Sequence, residues 1–305
     1  MADAHTQPYK HPAPPRFKHR VEAALAQSVF AVLKNLPMDT ASAFGGWLGR
    51  HIGPLTGAHR TATRNIARAL PELTPETQRR VLSDMWENFG RTMMEYAVLP
   101  RLAAASGSAL AERVTVEGHE PLAALVAAGK PAVLFGGHIA NWEVMPLILA
   151  RAAKPQVIVY RPANNPLVDK IIGDVRAPYT AGMAPKGAQG ARQMLKALAA
   201  GEHLIMLVDQ KINTGLPAPF FGRDAFTGPA VARMAMRYDC PVFPVRTQRL
   251  DGCRFKVTVE EPWRFPPHGS DADVAMALAR VNATLEEWIR IHPGQWMWMH
   301  KRWPD

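Results

Sequence analysis

The sequence contains few cysteines and no long apolar run. Only two of the 305 residues are cysteine, Cys240 and Cys253, too few for a disulfide framework and not in the paired spacing of a zinc site. We therefore expect two buried, reduced thiols. No stretch reaches the roughly 18 apolar residues typical of a membrane-spanning helix. The N-terminal residues also lack the cleavage pattern of a secretory signal.

Acidic residues are outnumbered by basic ones. The chain has 36 Lys and Arg against 26 Asp and Glu, which gives a formal net charge of +10. Such an excess favours acidic partners: nucleic acid, an anionic membrane surface or an acidic protein. No basic motif or aromatic RNA-binding signature is present, so we do not expect a nucleic-acid partner. Hydrophobic residues make up 48% of the chain, which is enough for a folded core.

The chain divides into a tail and one domain. Residues 1–20 are polar, proline-rich and basic, and we predict a disordered tail there. Residues 21–305 are predicted to form a single domain, with helices over 21–110 and an α/β core over 111–305. Residues 21–36 carry an apolar stripe at helical spacing, flanked by basic residues. That stripe predicts either an amphipathic helix packed on the domain or a helix lying in a membrane interface.

Short β-rich runs alternate with helical segments from about residue 114. The predicted strands are VTVEG (114–118), PAVLFG (131–136), QVIVY (156–160), HLIMLV (203–208), PVFPV (241–245) and FKVTVE (255–260). The predicted helices cover 119–129, 142–152, 187–200, 229–238 and 272–291. This alternation predicts an α/β sandwich with a mixed, largely parallel sheet, whose active site lies beyond the carboxyl ends of the strands.

The motif GGHIANWEV, residues 136–144, follows one of these strands. Gly136 and Gly137 give the backbone freedom to turn. His138 and Glu143 are five residues apart, so they can meet only if His138 lies in the turn and Glu143 on the first turn of the next helix. A histidine oriented by a carboxylate is a general base near neutral pH. The alternative is a structural histidine at a strand end, with Asn141 capping the helix or fixing the turn.

Polar residues follow two further strands. Asp209 and Gln210 come directly after HLIMLV, where they either orient the site or cap the strand. Arg161 comes directly after QVIVY. It is a candidate donor for an oxyanion, or it pairs structurally with Asp169.

A possible anion site follows PFFG. Arg223 precedes Thr227-Gly228-Pro229, which is predicted to open a helix. A helix N-terminus with an arginine nearby suits a phosphate. Alternatively, Thr227 is only an N-cap with proline in the first turn.

These motifs resemble those of the lipid A biosynthesis acyltransferases, the late lauroyl and myristoyl transferases within the lysophospholipid acyltransferase superfamily. The resemblance extends from about residue 20 to the C-terminus. It rests on GGHIANWE, YRPANNPLVD, DQ followed by PFFGRDAFTGPAVARMA, and HPGQWMWMHKRW.

The resemblance implies a glycerolipid-acyltransferase-like α/β sandwich with an N-terminal helical extension. It implies His138 and Glu143 as a catalytic pair, Arg161, Asn141, Asp209 and Gln210 as oxyanion-stabilising or substrate-orienting residues, and Arg223 and Thr227 as binders of an acceptor phosphate. It also implies an acyl carrier protein thioester as donor, a lipid A precursor as acceptor, and a place at the cytoplasmic face of the inner membrane.

Two departures from the family pattern bear on these expectations. Ala140 stands where the family often has glycine. The helix predicted over 21–36 is too short and polar for a spanning anchor, which favours attachment to an anionic membrane surface.

The residues also indicate the type of transfer. There is no G-x-S-x-G elbow and no cysteine beside a histidine, so we expect direct transfer without an acyl-enzyme, a metal or a cofactor. Two alternatives stay open. One is an acyltransferase that uses acyl-coenzyme A and another glycolipid or a lysophospholipid. The other is a non-catalytic peripheral membrane protein on the same fold.

The C-terminal tryptophans also leave two interpretations. Trp296, Trp298 and Trp303 alternate with basic residues. They suit a membrane interface, or they pack on the domain as part of a terminal strand.

Overall fold

A computed structural model describes residues 14–152 and 155–304. The helices are α1 (Phe17–Leu33), α2 (Met38–Ile52), α3 (Gly57–Ala69), α4 (Pro75–Glu95), α5 (Leu99–Ala104), α6 (Gly107–Ala111), α7 (His119–Ala127), α8 (Val144–Ala152), α9 (Pro166–Arg176), α10 (Ala188–Ala199), α11 (Ala230–Tyr238) and α12 (Asp271–Ile291). The strands are β1 (Val114–Glu117), β2 (Val133–Gly136), β3 (Gln156–Tyr160), β4 (Gly182–Pro185), β5 (His203–Leu207), β6 (Leu216–Phe220), β7 (Arg223–Thr227), β8 (Val242–Arg249) and β9 (Phe255–Val259). Short 3-10 turns cover Gly53–Leu55, Ala177–Tyr179 and Pro293–Gln295.

The core is a seven-stranded sheet in the order β1-β9-β8-β2-β5-β3-β4. Its neighbouring strands are parallel except for the antiparallel pair β8 and β9. Helices precede and separate these strands, so the predicted α/β fold with a mixed, largely parallel sheet is confirmed. The six predicted strands and five predicted helices are all present, with ends shifted by a few residues.

The strand order sets the position of the site. β2 lies between β8 and β5, and its four residues are buried. Gly136 is in register with Leu207 on β5, and Val159 on β3 is in register with Met206 on β5. The segments that follow β2, β5 and β3 therefore leave the sheet at the same edge.

Four elements of the α/β core were not predicted. β4 contains glycine and proline, which weaken a strand signal and are tolerated at the sheet edge where β4 lies. β6 and β7 form a separate antiparallel hairpin, and prolines at 217 and 219 obscured its first strand. Helix α9 follows the N-cap Asn165, whose side chain accepts from Leu167 N at 3.0 Å.

Helix α2 packs on α4, whereas α1 contacts the start of α9. Thr74 caps α4 by accepting a hydrogen bond from Thr77 N at 3.2 Å. α2 and α4 are in close contact at Gly49. A Cβ at this position would lie 2.1 Å from Trp86 O, so there is no room for a side chain. The polar residues on the buried face of α4 are consequently held next to the segment that follows β2.

Helix α1 corrects the predicted end of the N-terminal tail. It begins at Phe17, so the last residues of the predicted tail are helical; residues 1–13 lie outside the described residues. Most of its apolar stripe also faces away from the domain, since Leu25 and Val32 are each 63% exposed. Leu33 is buried, and Asn165 Nδ2 donates to His19 O at 2.9 Å. No helix within residues 14–152 and 155–304 is both long and apolar enough to cross a membrane.

Candidate active site

The segment after β2 makes a tight turn whose shape depends on glycine. A Cβ at Gly136 would lie 2.9 Å from Val245 O, and one at Gly137 would lie 3.0 Å from Leu285 Cδ2 and 3.3 Å from Asp209 Oδ2. The absence of a side chain at Gly137 thus allows the Asp209 carboxylate to approach the turn. We refer to residues 137–143 as the catalytic turn.

His138 is held by Asp209 at two points. His138 Nδ1 lies 2.7 Å from Asp209 Oδ1, and His138 N donates to Asp209 Oδ2 at 2.7 Å. Trp296 Nε1 donates to the same Oδ2 at 2.7 Å. With the carboxylate facing Nδ1, that nitrogen carries the ring proton, and Nε2 is left as the acceptor. His138 is a candidate general base in the correct tautomer.

The open side of the imidazole lies at the carboxyl ends of the strands. The His138 side chain is 15% exposed, whereas Asp209 is 2% exposed. Gln210 Nε2 lies 3.3 Å from His138 Nε2, and the His138 ring meets Trp142 edge-on with centroids 5.0 Å apart. Nε2 is therefore the ring atom that can face a substrate hydroxyl, with Gln210 beside it.

The environment of Asp209 favours its charged form. Burial alone would raise the pKa of Asp209, but the charge of His138 and the donors from His138 and Trp296 outweigh burial. Together they hold the pKa of Asp209 well below its usual range. The carboxylate is thus ionised across the physiological pH range and can stabilise an imidazolium.

Glu143 is not the hydrogen-bond partner of His138, which corrects the predicted His138–Glu143 contact. Arg176 Nε donates to Glu143 Oε2 at 2.9 Å and Arg176 NH2 to Oε1 at 2.5 Å. Tyr96 OH donates to Oε1 at 2.7 Å and Tyr179 OH to Oε2 at 3.3 Å. The carboxylate is buried, and a buried charge is most stable beside an opposite one, here the guanidinium at the end of α9.

Glu143 and Arg176 form a charged pair, and the two tyrosines beside it are neutral. Burial opposes the charge on Glu143, but Arg176 and the tyrosine hydroxyls outweigh it, so the pKa of Glu143 is lowered. Burial and the nearby Glu143 charge raise the pKa values of Tyr96 and Tyr179, which stay protonated as donors. The pair therefore anchors the last residue of the catalytic turn to α9.

Asn141 fixes the turn and does not face the open site. It is fully buried, its Oδ1 accepts from Glu143 N at 3.0 Å, and its Nδ2 donates to Glu95 Oε2 at 2.8 Å. These contacts match the alternative in which Asn141 fixes the turn. Glu95 was not singled out from the sequence.

Arg161 follows the carboxyl end of β3, near the open side of the His138 imidazole. It is exposed, and it is close enough to His300 for its charge to favour the neutral imidazole. Burial, the largest cause, lowers the pKa of His300 to about 4. No ion pair joins Arg161 to Asp169 in the described part of the chain; Asp169 instead accepts from Ala163 N at 2.7 Å. Arg161 is thus available to an anionic ligand.

Thr227 does not form the predicted anion site. It is fully buried at the end of β7, its hydroxyl donates to Ala225 O at 3.0 Å, and it accepts from Arg302 NH2 at 2.8 Å. Helix α11 begins three residues later, at Ala230. Pro229 correctly indicated the start of α11, but Thr227 belongs to the β6–β7 hairpin.

Arg223 is partly exposed at the start of β7. Its guanidinium carbon lies 5.8 Å from the ring centroid of Trp303, and its NH1 is buried without a hydrogen-bond partner. Because the side chain as a whole is only partly buried, it remains within reach of an acidic group. The structure therefore keeps Arg223 as a candidate and removes Thr227.

The C-terminal tryptophans pack inside the domain. Trp296 and Trp298 are 1% and 0% exposed, with ring centroids 4.6 Å apart, and Trp303 is also buried. They follow the turn Pro293–Gln295 rather than forming a strand among the described residues. Packing, not a membrane interface, explains these residues. The sequence did not indicate that Trp296 would contact Asp209.

Comparisons with known proteins identify the family to which the chain belongs. The family model described as bacterial lipid A biosynthesis acyltransferase matches residues 13–305. The chain is 23% identical over 260 residues to lipid A biosynthesis acyltransferase 2 of Shigella flexneri, covering 83% of this chain and 80% of that protein. It is 25% identical over 252 residues to the lipid A biosynthesis lauroyltransferase of Escherichia coli strain K12, covering 78% and 76%.

A solved structure is also similar. The crystal structure of the 1-acyl-sn-glycerophosphate acyltransferase of Thermotoga maritima aligns with a TM-score of 0.40 and 14% identity. The alignment covers 94% of this chain and 100% of that one. The family match over nearly the whole chain identifies this protein as a member of the bacterial lipid A biosynthesis acyltransferase family.

Proposed function

We propose that the protein transfers a fatty acyl chain from an acyl carrier protein thioester to a hydroxyl of a lipid A precursor. The observation that carries the proposal is the His138–Asp209 pair, with Nε2 of His138 directed to the open edge of the sheet. An imidazole held in this tautomer by a buried carboxylate can deprotonate a hydroxyl.

The reaction proceeds by direct attack. Nε2 of His138 removes the proton as the acceptor oxygen attacks the thioester carbonyl, and Asp209 stabilises the resulting imidazolium. The tetrahedral intermediate collapses, the carbon–sulfur bond breaks, and the imidazolium returns its proton to the leaving thiolate. Arg161 and the Gln210 amide are the candidate donors to the oxyanion.

Two observations support transfer without an acyl-enzyme. Burial raises the pKa of Cys240 to about 11 and that of Cys253 to about 12, so neither thiol is a nucleophile near neutral pH. The His138 imidazole faces Asp209, Gln210 and Trp142 rather than a serine or cysteine.

Glu143 keeps a role in the proposal, at the other end of the turn. Its ion pair with Arg176 fixes the last residue of the catalytic turn while Asp209 fixes His138. Loss of either carboxylate is expected to impair transfer, but for different physical reasons.

The anionic partners are proposed from charge. Arg223 is partly exposed, and Arg161 is exposed near the carboxyl ends of the strands, on the same side as His138. We propose that Arg223 binds a phosphate of the acceptor, and that the chain's net charge of +10 favours an acidic carrier protein.

The experiment is a transfer assay with purified protein, a lipid A precursor and acyl carrier protein loaded with labelled chains of several lengths. His138→Ala is run beside wild type. Product from wild type alone supports the proposal, and the preferred chain reports the donor specificity. Parallel reactions with acyl-coenzyme A and with a lysophospholipid test the other donor and acceptor. Product only in those reactions would replace the proposed substrates.

Attachment to an anionic membrane surface is a further part of the proposal. The N-terminal helices carry large exposed apolar side chains, which we call the N-terminal apolar set: Phe17, Val21, Leu25, Val29, Val32, Phe44, Trp47, Ile52 and Leu55. Arg16, Lys18, Arg20 and Lys34 are exposed near them. Apolar side chains beside basic ones suit the cytoplasmic headgroup region of the inner membrane.

Vesicle co-sedimentation tests the attachment. We expect binding to vesicles that contain phosphatidylglycerol, reduced at high salt, and weakened by the double variant Leu25→Ser/Trp47→Ser. Met276→Ser is the matched control, because Met276 is 64% exposed on α12, outside the N-terminal apolar set. Equal binding by all three proteins would reject these helices as the attachment surface.

A further inference from the structure

Helix α4 directs three buried polar side chains at the catalytic turn. Asn88, Thr92 and Glu95 are spaced by four and three residues, which places them on one face of the helix. They are 7%, 0% and 0% exposed. Polar groups buried this deeply need hydrogen-bond partners, and each of the three bonds to the turn or to a residue that contacts it.

Ala140 is held in an unusual backbone conformation. Its φ of 52° lies in the left-handed region, which non-glycine residues rarely adopt. Its carbonyl accepts from Thr92 Oγ1 at 3.0 Å and from Asn88 Nδ2 at 3.2 Å, and its N donates to Gln295 O at 2.9 Å. The shape of the turn is thus imposed by α4 and the C-terminal segment.

Glu95 is the centre of the hydrogen bonds behind the turn. Asn141 Nδ2 donates to its Oε2 at 2.8 Å and Ser42 Oγ to its Oε1 at 2.6 Å. Arg249 pairs with both oxygens, with NH2 at 2.9 Å from Oε2. Each carboxylate oxygen therefore accepts two donors, which uses the full accepting capacity of a carboxylate. An amide of the same shape would place N–H groups against two of these donors.

The contacts continue from Glu95 to His138. Asn141, oriented by Glu95, accepts from Glu143 N at 3.0 Å and so sets the backbone of the turn. His138 N, at the other end of the turn, donates to Asp209. A shift of Asn141 would therefore move the imidazole relative to the carboxylate.

We infer that Glu95 is a positioning residue that holds the catalytic turn, through Asn141, in the conformation that places His138 on Asp209. This inference rests on the proposed function. Glu95 is fully buried and does not contact substrate; it acts through Asn141.

The test compares Glu95→Gln with Ser42→Ala. Both lose hydrogen bonds in the same cluster, but Ser42 donates from α2, on the side away from the turn. We expect Glu95→Gln to lower kcat about 10²-fold with KM for both substrates within about twofold, because small displacements of a reacting group have effects of that size. Ser42→Ala should keep kcat within about twofold of wild type.

A spectroscopic readout separates positioning from stability. The proton shared by His138 Nδ1 and Asp209 should give a low-field proton resonance, assigned by its absence in His138→Gln. We expect this resonance to shift or broaden in Glu95→Gln and to stay unchanged in Ser42→Ala. If it is unchanged in folded Glu95→Gln, or if kcat falls only in proportion to the unfolded fraction, the inference is wrong.

A second variant covers the case in which Glu95→Gln does not fold. Asn141→Ala removes the link to the turn but leaves Glu95 paired with Arg249, and it should reproduce the loss of kcat and the altered resonance. A wild-type protein inactive on every substrate would reject the proposed function, whereas the resonance would still decide the role of Glu95.

Discussion

Asp209 contacts both the ring and the backbone of His138, with Oδ1 2.7 Å from Nδ1 and Oδ2 2.7 Å from the amide nitrogen. The second oxygen also accepts from Trp296. One carboxylate thus fixes the position, the rotation and the tautomer of the imidazole.

We expect Asp209→Asn to lower kcat by roughly 10²- to 10⁴-fold, the usual contribution of a general base. His138 N and Trp296 Nε1 need an acceptor, so they hold the asparagine oxygen at the position of Oδ2. The asparagine NH₂ then faces Nδ1 and forces the imidazole proton onto Nε2. The measurement is the initial rate of transfer beside Asp251→Asn, an exposed carboxyl whose loss should have no effect. More than a tenth of the wild-type rate in Asp209→Asn would contradict the assigned role.

Glu143→Gln should destabilise the fold by about 3–5 kcal/mol, because it leaves the Arg176 charge buried without its partner. Urea unfolding measures the change. Asp174→Asn is the matched control on α9, since its pair with Lys170 is exposed and should contribute within about 0.5 kcal/mol. Similar midpoints for the two variants would mean that the buried pair does not stabilise the protein.

Ala140→Gly should leave stability unchanged or raise it by up to about 1 kcal/mol. Relief of the left-handed conformation at φ 52° is worth about 1–2 kcal/mol and is partly offset by the greater entropy of glycine in the unfolded chain. Ala235→Gly, at a buried helical position of α11, should instead destabilise by at least about 1 kcal/mol. Thermal unfolding of both variants measures the sign of each change in stability. A destabilised Ala140→Gly would contradict the inferred backbone strain at Ala140.

The protein should become less stable as the pH is lowered below about 6.5, and His300 should account for part of this loss. Burial lowers the pKa of His300 to about 4, so the unfolded chain takes up a proton between the ordinary value of 6.5 and 4 while the folded chain does not. Stability from this group is intact above pH 6.5 and decreases as the pH falls towards 4. Allowing for partial exposure, the loss is about 1–2 kcal/mol.

Comparison with His300→Gln isolates this contribution. Glutamine can still accept from Lys211 N, as His300 Nε2 does at 2.9 Å, but it does not titrate. Urea unfolding of both proteins at pH 7.5 and 4.5 should give a smaller difference for the variant. Equal differences would assign the pH dependence to other groups.

Arg223→Ala should raise KM for the phosphorylated acceptor about 10-fold or more and leave KM for the donor unchanged, as expected for a lost charged hydrogen bond. Arg233→Ala is the matched control, because Arg233 lies in α11 and pairs with the exposed Asp271. An unchanged acceptor KM in Arg223→Ala would reject its role in phosphate binding.

The sheet and its functional edge could be predicted from sequence because their signals are local. Apolar runs such as HLIMLV and the polar residues after them appear within a few positions. His138, Asp209 and Arg161 were therefore assigned to strand ends without knowledge of the strand order.

The contacts among those residues could not be predicted in the same way. Asp209 reaches His138 because β5 lies next to β2, and adjacency of strands far apart in sequence has no local signal. Glu143 was paired with His138 on spacing and on the family resemblance, whereas Arg176, 33 residues away, binds it in the fold. Thr227 was misassigned because the proline after it marks a helix start while the hairpin partner, β6, had been missed.

The dependence of the catalytic turn on distant segments bears on the order of events during synthesis. Ala140 bonds to Gln295 O, which also accepts from Asn88, 207 residues earlier, and Asp209 needs the indole of Trp296. A nascent chain that has emerged only as far as α12 lacks these partners. The hydrogen bonds that hold the turn and Asp209 are therefore complete only after the C-terminal segment has been added.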